Sequence, residues 1–183
     1  MEEKKSLMNI DLNSFSTGLP NLDRTLQGLV AGDNVVWQVD SVDDYIPLVL
    51  PFWEEARRQD RKLVYFRFAR HRELLRAPRG GAVYRLRPED GFERFLGEIL
   101  DTIEKEGVGA CYVFDWLSDL AADWYSDHML GNFFRIACPY LYDLKTIAYF
   151  ALRKNHHSFE ATEAINRTRS EEHTSELQSR SDL

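Results

Sequence analysis

Cysteine is scarce. Cys111 and Cys138 each sit in an apolar stretch, so the chain has no disulfide framework and no cysteine cage for a metal, and both are expected as buried, reduced thiols. Positive charge is also short: 23 Lys and Arg against 30 Asp and Glu give a formal net charge of -7. A grip on DNA or RNA phosphates needs clustered base, so no nucleic-acid partner is expected. No apolar run approaches the ~18 residues of a membrane-crossing helix, so no membrane partner is expected either. The opening Met1-Glu-Glu-Lys-Lys5 is charged and no apolar signal-peptide core follows it, which predicts a cytoplasmic protein.

What the chain does have suits one domain with a sizeable core: 44% hydrophobic and 29% charged residues over 183 positions, with aromatics at 13%. Leu19, Leu22, Leu26 and Leu29 recur at helical spacing behind Pro20 and predict a short helix over 20–27, ended by Gly28. Strands are predicted over 34–39, 62–68, 82–86, 109–115 and 146–152 from β-branched and aromatic runs. Helices are predicted over 45–59, 88–105 and 129–137, with Pro51 kinking the first and Pro139 ending the last, and a further helix starts near Ser158. Strands that alternate with helices and are apolar on both faces imply a parallel sheet covered on both sides.

Arg169-Ser-Glu-Glu-His-Thr-Ser-Glu-Leu-Gln-Ser179 has no apolar periodicity. It resembles the conceptual translation of a sequencing-library adapter. The expected organisation is therefore a polar leader over 1–15, a domain over 16–168 that is cut short, and a non-native tail over 169–183. The tail carries Arg169 and Arg180 against Glu171, Glu172, Glu176 and Asp182, only a small part of the net charge of -7, so the rest of the chain stays acidic without it.

The central stretch is Asn34-Val-Val-Trp-Gln-Val-Asp-Ser-Val-Asp-Asp-Tyr-Ile-Pro-Leu-Val-Leu-Pro-Phe52. Strand, tight turn and helix is where an α/β protein holds a phosphate on unpaired backbone N–H groups. The turn has no glycine to wrap a phosphate and no lysine to neutralise one; it has Asp40, Asp43 and Asp44.

Three blocks in order resemble the RecA-like ATPase core in its KaiC-type branch. Ser16-Thr-Gly-Leu-Pro-Asn-Leu-Asp-Arg-Thr-Leu-Gln-Gly28 is similar to the entry motif, with Asn21 where glycine is usual. The stretch at Asn34–Phe52 takes the P-loop position. Tyr112-Val-Phe-Asp-Trp-Leu-Ser-Asp-Leu120 is similar to the Walker B strand, which would make Asp115 its aspartate. The resemblance covers about Ser16 to Leu152. It implies a RecA-like three-layer P-loop NTPase fold of α/β class with a mainly parallel sheet, its C-terminal strands missing and a sheet edge exposed.

The departures are specific. Tyr45 and Ile46 stand at the Lys-Thr positions, give or take one residue. The branch's glutamate pair after the second strand is replaced by Phe68-Ala69-Arg70. With the phosphate clamp, the metal hydroxyl and the base absent, ATP hydrolysis is not expected. Asp40, Ser41, Asp43, Asp44, Tyr45, Asp115 and Ser118 then form a relic nucleotide site with no catalytic residue and no cofactor; ATP and Mg²⁺ belong only to an alternative with an altered loop. Arg70 is a candidate counter-charge for Asp43 or Asp44, because the second strand is expected beside the P-loop strand. The functional expectation is a non-hydrolysing regulatory or protein-interaction module that binds a protein partner or itself. The "Val-Trp-Gln-Val-Asp-Ser" loop, "Tyr-Phe-Arg-Phe-Ala" strand and "Asp-Trp-Tyr-Ser-Asp" run also resemble the leader of some long phosphoenolpyruvate synthase or pyruvate phosphate dikinase-type proteins, so a phosphotransferase fragment is a further alternative.

Other clusters have plainer readings beside the functional one. Asp115, Asp119 and Asp123 at spacing four, followed by Asp127 and His128, would share a helical face able to hold a divalent ion, or form a solvated acidic edge. His156-His157 reads as a metal pair or general base, or as surface residues. Arg67, Arg70, Arg72, Arg76, Arg79, Arg85 and Arg87 read as an anion site or a solvated loop. Trp116, Trp124, Tyr125, Phe133, Phe134, Tyr140 and Tyr142 suit an interface or a domain core.

Overall fold

The computed structural model describes residues 14–75, 81–159 and 161–163. The expected tail over 169–183, Arg76 and Arg79 lie outside the described residues. Strand β1 (Ser14–Phe15) pairs antiparallel with β2 (Leu29–Val30) around helix α1 (Pro20–Leu26). Five further strands form one sheet: β3 (Asn34–Val39), β4 (Leu63–Arg67), β5 (Gly81–Arg85), β6 (Cys111–Trp116) and β7 (Ile147–Arg153). Helix α2 (Val42–Arg58) follows β3, and α3 (Phe92–Glu106) follows β5 after a 3₁₀ turn at Pro88–Asp90. Helices α4 (Ser118–Asp123) and α5 (Asp127–Asp143) lie between β6 and β7. The protein is thus α/β, as its alternating pattern implies.

The sheet order is β3-β7-β6-β4-β5, and every neighbouring pair is parallel. The chain starts at one edge, crosses to the far side for β4 and β5, and returns through β6 and β7. Right-handed crossovers put α2 on one face and the returning helices on the other. The side chains agree with this. Phe52 of α2 stacks on Tyr149 at 4.0 Å, while Phe134 of α5 meets the next residue of the strand, Phe150, edge-on at 5.3 Å. Below α3 and α5 lies a continuous aromatic layer, with Phe114 at 4.9 Å from Phe66 and 4.4 Å from Phe150. Phe133, Phe134 and Trp124 belong to this core packing, whereas Tyr125 is 96% exposed.

Three expectations need correction. Strand β4 does not neighbour β3, because β7 and β6 lie between them. The helix expected over 129–137 runs from Asp127 to Asp143, straight through Pro139. Helix α2 starts at Val42, three residues before the expected Tyr45, and contains Pro47 and Pro51 as expected. Pro47 and Pro139 are exposed, so the carbonyls that lose their helical partner face water, where helices bend outward at little cost.

The entry motif has a local physical reason. Asp23 of α1 accepts the Ser16 hydroxyl at 2.5 Å and both the backbone N–H and the hydroxyl of Thr17 at 2.7 Å. The Thr17 hydroxyl in turn accepts the Leu19 N–H at 3.1 Å. Burial pushes the Asp23 carboxyl up, but these hydrogen bonds outweigh it and hold it below its ordinary value. Gly18, left-handed at φ +77°, lies against the backbone of α2 at Pro51.

Candidate functional site

The C-terminal ends of β4 and β6 meet at one fully buried carboxylate, Asp115. Its Oδ1 accepts the Tyr65 hydroxyl at 3.0 Å and lies 2.8 Å from His71 Nε2. Its Oδ2 accepts the backbone N–H groups of Phe68 at 3.1 Å and Ala69 at 2.9 Å, together with a guanidinium N–H of Arg67. Arg67 also donates to the carbonyls of Ala69 and His71, which curls the segment after β4 around the carboxylate. Tyr65 closes the ring by accepting the Leu74 N–H at 3.3 Å. Four hydrogen-bond donors fill the lone-pair sites of the carboxylate, and the His71 imidazole stands beside them at ion-pair distance.

Electrostatics follow from this geometry. Burial pushes the Asp115 carboxyl up, but the hydrogen bond and charge of His71, the Ala69 N–H and the Arg67 guanidinium hold it below the usual carboxylate range. Burial pushes His71 down, but Asp115 and the Arg72 carbonyl raise it above its ordinary value. A raised histidine contributes stability below its unfolded value of about 6.5 and loses it as pH rises through the folded value. A lowered aspartate contributes above about 3.9 and loses it as pH falls. The pair should therefore stabilise most between about pH 4 and pH 6.5. Urea midpoints across pH should fall on the alkaline side of that window in the unaltered chain. In His71→Gln that fall should be absent; an identical slope in both would contradict the assignment.

The acidic turn is a closed helix start. Ser41 is the N-cap of α2: its hydroxyl accepts the Asp44 N–H at 3.4 Å and donates to the Asp44 carboxylate at 2.7 Å. Asp43 and Asp44 stand in the first turn, where the helix dipole favours negative charge. Asp40 is exposed at the end of β3. Tyr45 is fully buried, and its hydroxyl has no hydrogen-bond partner among the described residues.

Arg70 is not the counter-charge of this turn. Its guanidinium pairs with Asp123 at 2.8 Å, and its backbone N–H reaches Asp119 at 3.4 Å. The residue that reaches Asp43 is Arg72, at 2.8 Å. With two strands between β4 and β3, only the loop beyond the strand, not its end, spans the distance. Both partners are mostly exposed, so the pair is worth at most ~1 kcal/mol. Arg85 pairs with Glu73 and Arg87 with Glu89, so the described arginines of the basic stretch are matched by acids.

The acids at spacing four do not share a helical face. Asp115 belongs to β6 and points inward, whereas Asp119 and Asp123 belong to α4 and meet Arg70. Among the described residues no group of three or more His, Cys, Asp and Glu could hold a metal ion.

Ser118 stands apart from the rest of the expected relic site. Its Oγ lies 2.6 Å from His157 Nε2 and accepts the Arg153 N–H at 2.7 Å. His157 Nδ1 lies 2.6 Å from Asp127 Oδ1, and the other Asp127 oxygen accepts the Ser158 N–H. The His157 side chain is 2% exposed, so the plainer reading of His156-His157 as surface residues holds for exposed His156 alone. Burial pushes the Asp127 carboxyl up, but the Ser158 N–H and His157 hold it below its ordinary value. Nothing local in the sequence joins Ser118, Asp127 and His157; only the adjacency of β6 and β7 does. The same holds for Tyr65, Arg67 and His71 around Asp115.

No protein-family model matches the chain, and no curated protein matches it. Among the described residues, no helix is long and apolar enough to cross a membrane.

Proposed function

We propose that this chain is a degenerate RecA/KaiC-like domain that does not hydrolyse ATP and serves as a regulatory or protein-interaction module. The observation that carries this reading is the state of Asp115. Under the resemblance it stands at the Walker B position, where an aspartate must turn toward Mg²⁺ and its water. Here both oxygens are taken by Tyr65, His71, Arg67 and two backbone N–H groups, and the carboxylate is fully buried.

The turn at the P-loop position supports the same reading. Ser41 and Asp44 cap the helix start that a phosphate would otherwise occupy, and Asp43 and Asp44 already place negative charge there. Like charges on the turn and a triphosphate repel. The residues present do not fit ATP and Mg²⁺: there is no lysine at the turn, and the Asp115 carboxylate is already taken. Calorimetric titration with ATP or ADP in the presence of Mg²⁺ should give no saturable heat at millimolar nucleotide. Micromolar binding would replace this reading with that of an ATPase that has an altered phosphate loop.

A further inference from the structure

Ser118, His157 and Asp127 meet in the order that activates a serine hydroxyl. A hydroxyl within hydrogen-bond reach of an imidazole, itself oriented by a carboxylate on its other nitrogen, is the arrangement of nucleophilic hydrolases on unrelated folds. Here both links are 2.6 Å. Asp127 fixes the tautomer: with Nδ1–H donating to the carboxylate, Nε2 is left as acceptor for the Ser118 O–H. Ser118 follows β6 and His157 follows β7, so the pair stands at the C-terminal rim of adjacent parallel strands, where α/β proteins place their chemistry.

We propose that Ser118, His157 and Asp127 form a nucleophilic site that takes the acyl group of small apolar carboxylic esters. Ser118 Oγ attacks the ester carbonyl while its proton passes to His157 Nε2. The alkoxide leaves with that proton, and an acyl–Ser118 ester remains. Water, deprotonated by the same nitrogen, then attacks the acyl carbon, releases the carboxylic acid and restores the serine. The Arg153 N–H donates to Ser118 Oγ at 2.7 Å and holds the hydroxyl in place beside His157. The preference for apolar esters comes from the surroundings. Tyr125 is 96% and Phe159 77% exposed, and they stand two residues before Asp127 and two residues after His157. Two exposed large apolar side chains this near in sequence to Asp127 and His157 are the ground for an apolar acyl or alcohol group.

This inference depends only on those contacts and not on the fate of the nucleotide site. The full 183-residue chain is incubated with an alkyl fluorophosphonate and its peptides are mapped by mass spectrometry. A phosphonyl adduct on Ser118 is expected, with saturable hydrolysis of 4-nitrophenyl butyrate. Asp127→Asn keeps an oxygen for the Ser158 N–H but favours the wrong imidazole tautomer, so acylation should slow by ~10²–10⁴-fold. A serine that merely braces β7 against α4 would give no adduct. Absence of the adduct from the unaltered chain overturns the proposal, whether or not Ser118→Ala folds. So does ester hydrolysis that continues undiminished in a Ser118→Ala chain that still melts cooperatively.

Discussion

Asp115→Ala should destabilise the protein by ~3–5 kcal/mol, because removing one partner of a buried pair strands the other charge. Arg67 keeps only 14% of its side-chain exposure and has no second acid in reach among the described residues; its remaining partners there are the carbonyls of Ala69 and His71. The Phe68 and Ala69 N–H groups and the Tyr65 hydroxyl lose their acceptor in the same step. Urea unfolding reads the loss directly. The double change Arg67→Met with Asp115→Leu removes both charges and should recover a large part of it, since an apolar pair of similar volume often matches a buried ion pair. A single change costing under ~1 kcal/mol would mean that the carboxylate is not the acceptor described, as an exposed pair is worth no more than that.

Gly18→Ala should cost ~2–5 kcal/mol, read as a fall in the cooperative melting temperature. Two effects add. At φ +77° a Cβ is strained by ~1–2 kcal/mol. The added atom would also overlap the Pro51 carbonyl, a rigid piece of helix backbone that must move bodily, at a further ~1–3 kcal/mol. Gly97 is the contrasting control. It lies inside α3 with open space where a Cβ would go, so Gly97→Ala should stabilise by ~0.5–1 kcal/mol. Equal effects at the two glycines would show that the contact between the entry motif and α2 is not what fixes Gly18.

The fold class was legible in the alternation of apolar runs, because a strand buried on both faces cannot be polar at every second position. Cys111–Trp116 and Ile147–Leu152 are buried throughout, as that pattern demands. Helix limits were less legible, since Pro47 and Pro139 break a rule about hydrogen bonds that water satisfies on the exposed side. Strand order was not legible. Periodicity says which face of a strand is apolar but nothing about its neighbour, so the sequence alone points Arg70 to Asp43 or Asp44 rather than to Asp119 and Asp123. Asp115 stood out because an acid ending an apolar strand is conspicuous. Its donors Tyr65, Arg67 and His71 look like ordinary strand and loop residues, and only the pairing of β4 with β6 brings them to it. Ser118, Asp127 and His157 were hidden for the same reason.

The placement of β3 next to β7 has a consequence during synthesis. Asn34 lies beside Ala148 and Val39 beside Arg153, so one edge of the sheet is made of the first long strand held by the last. While the ribosome is still adding β4, β5 and β6, the apolar Val35-Val36-Trp37 segment has no strand to join. The partner that covers it emerges only after α5. Contacts this distant in sequence make folding slow. The nascent chain therefore carries an unpaired, uncharged strand until β7 has been made, which is the interval in which a holding chaperone would raise the yield of folded protein.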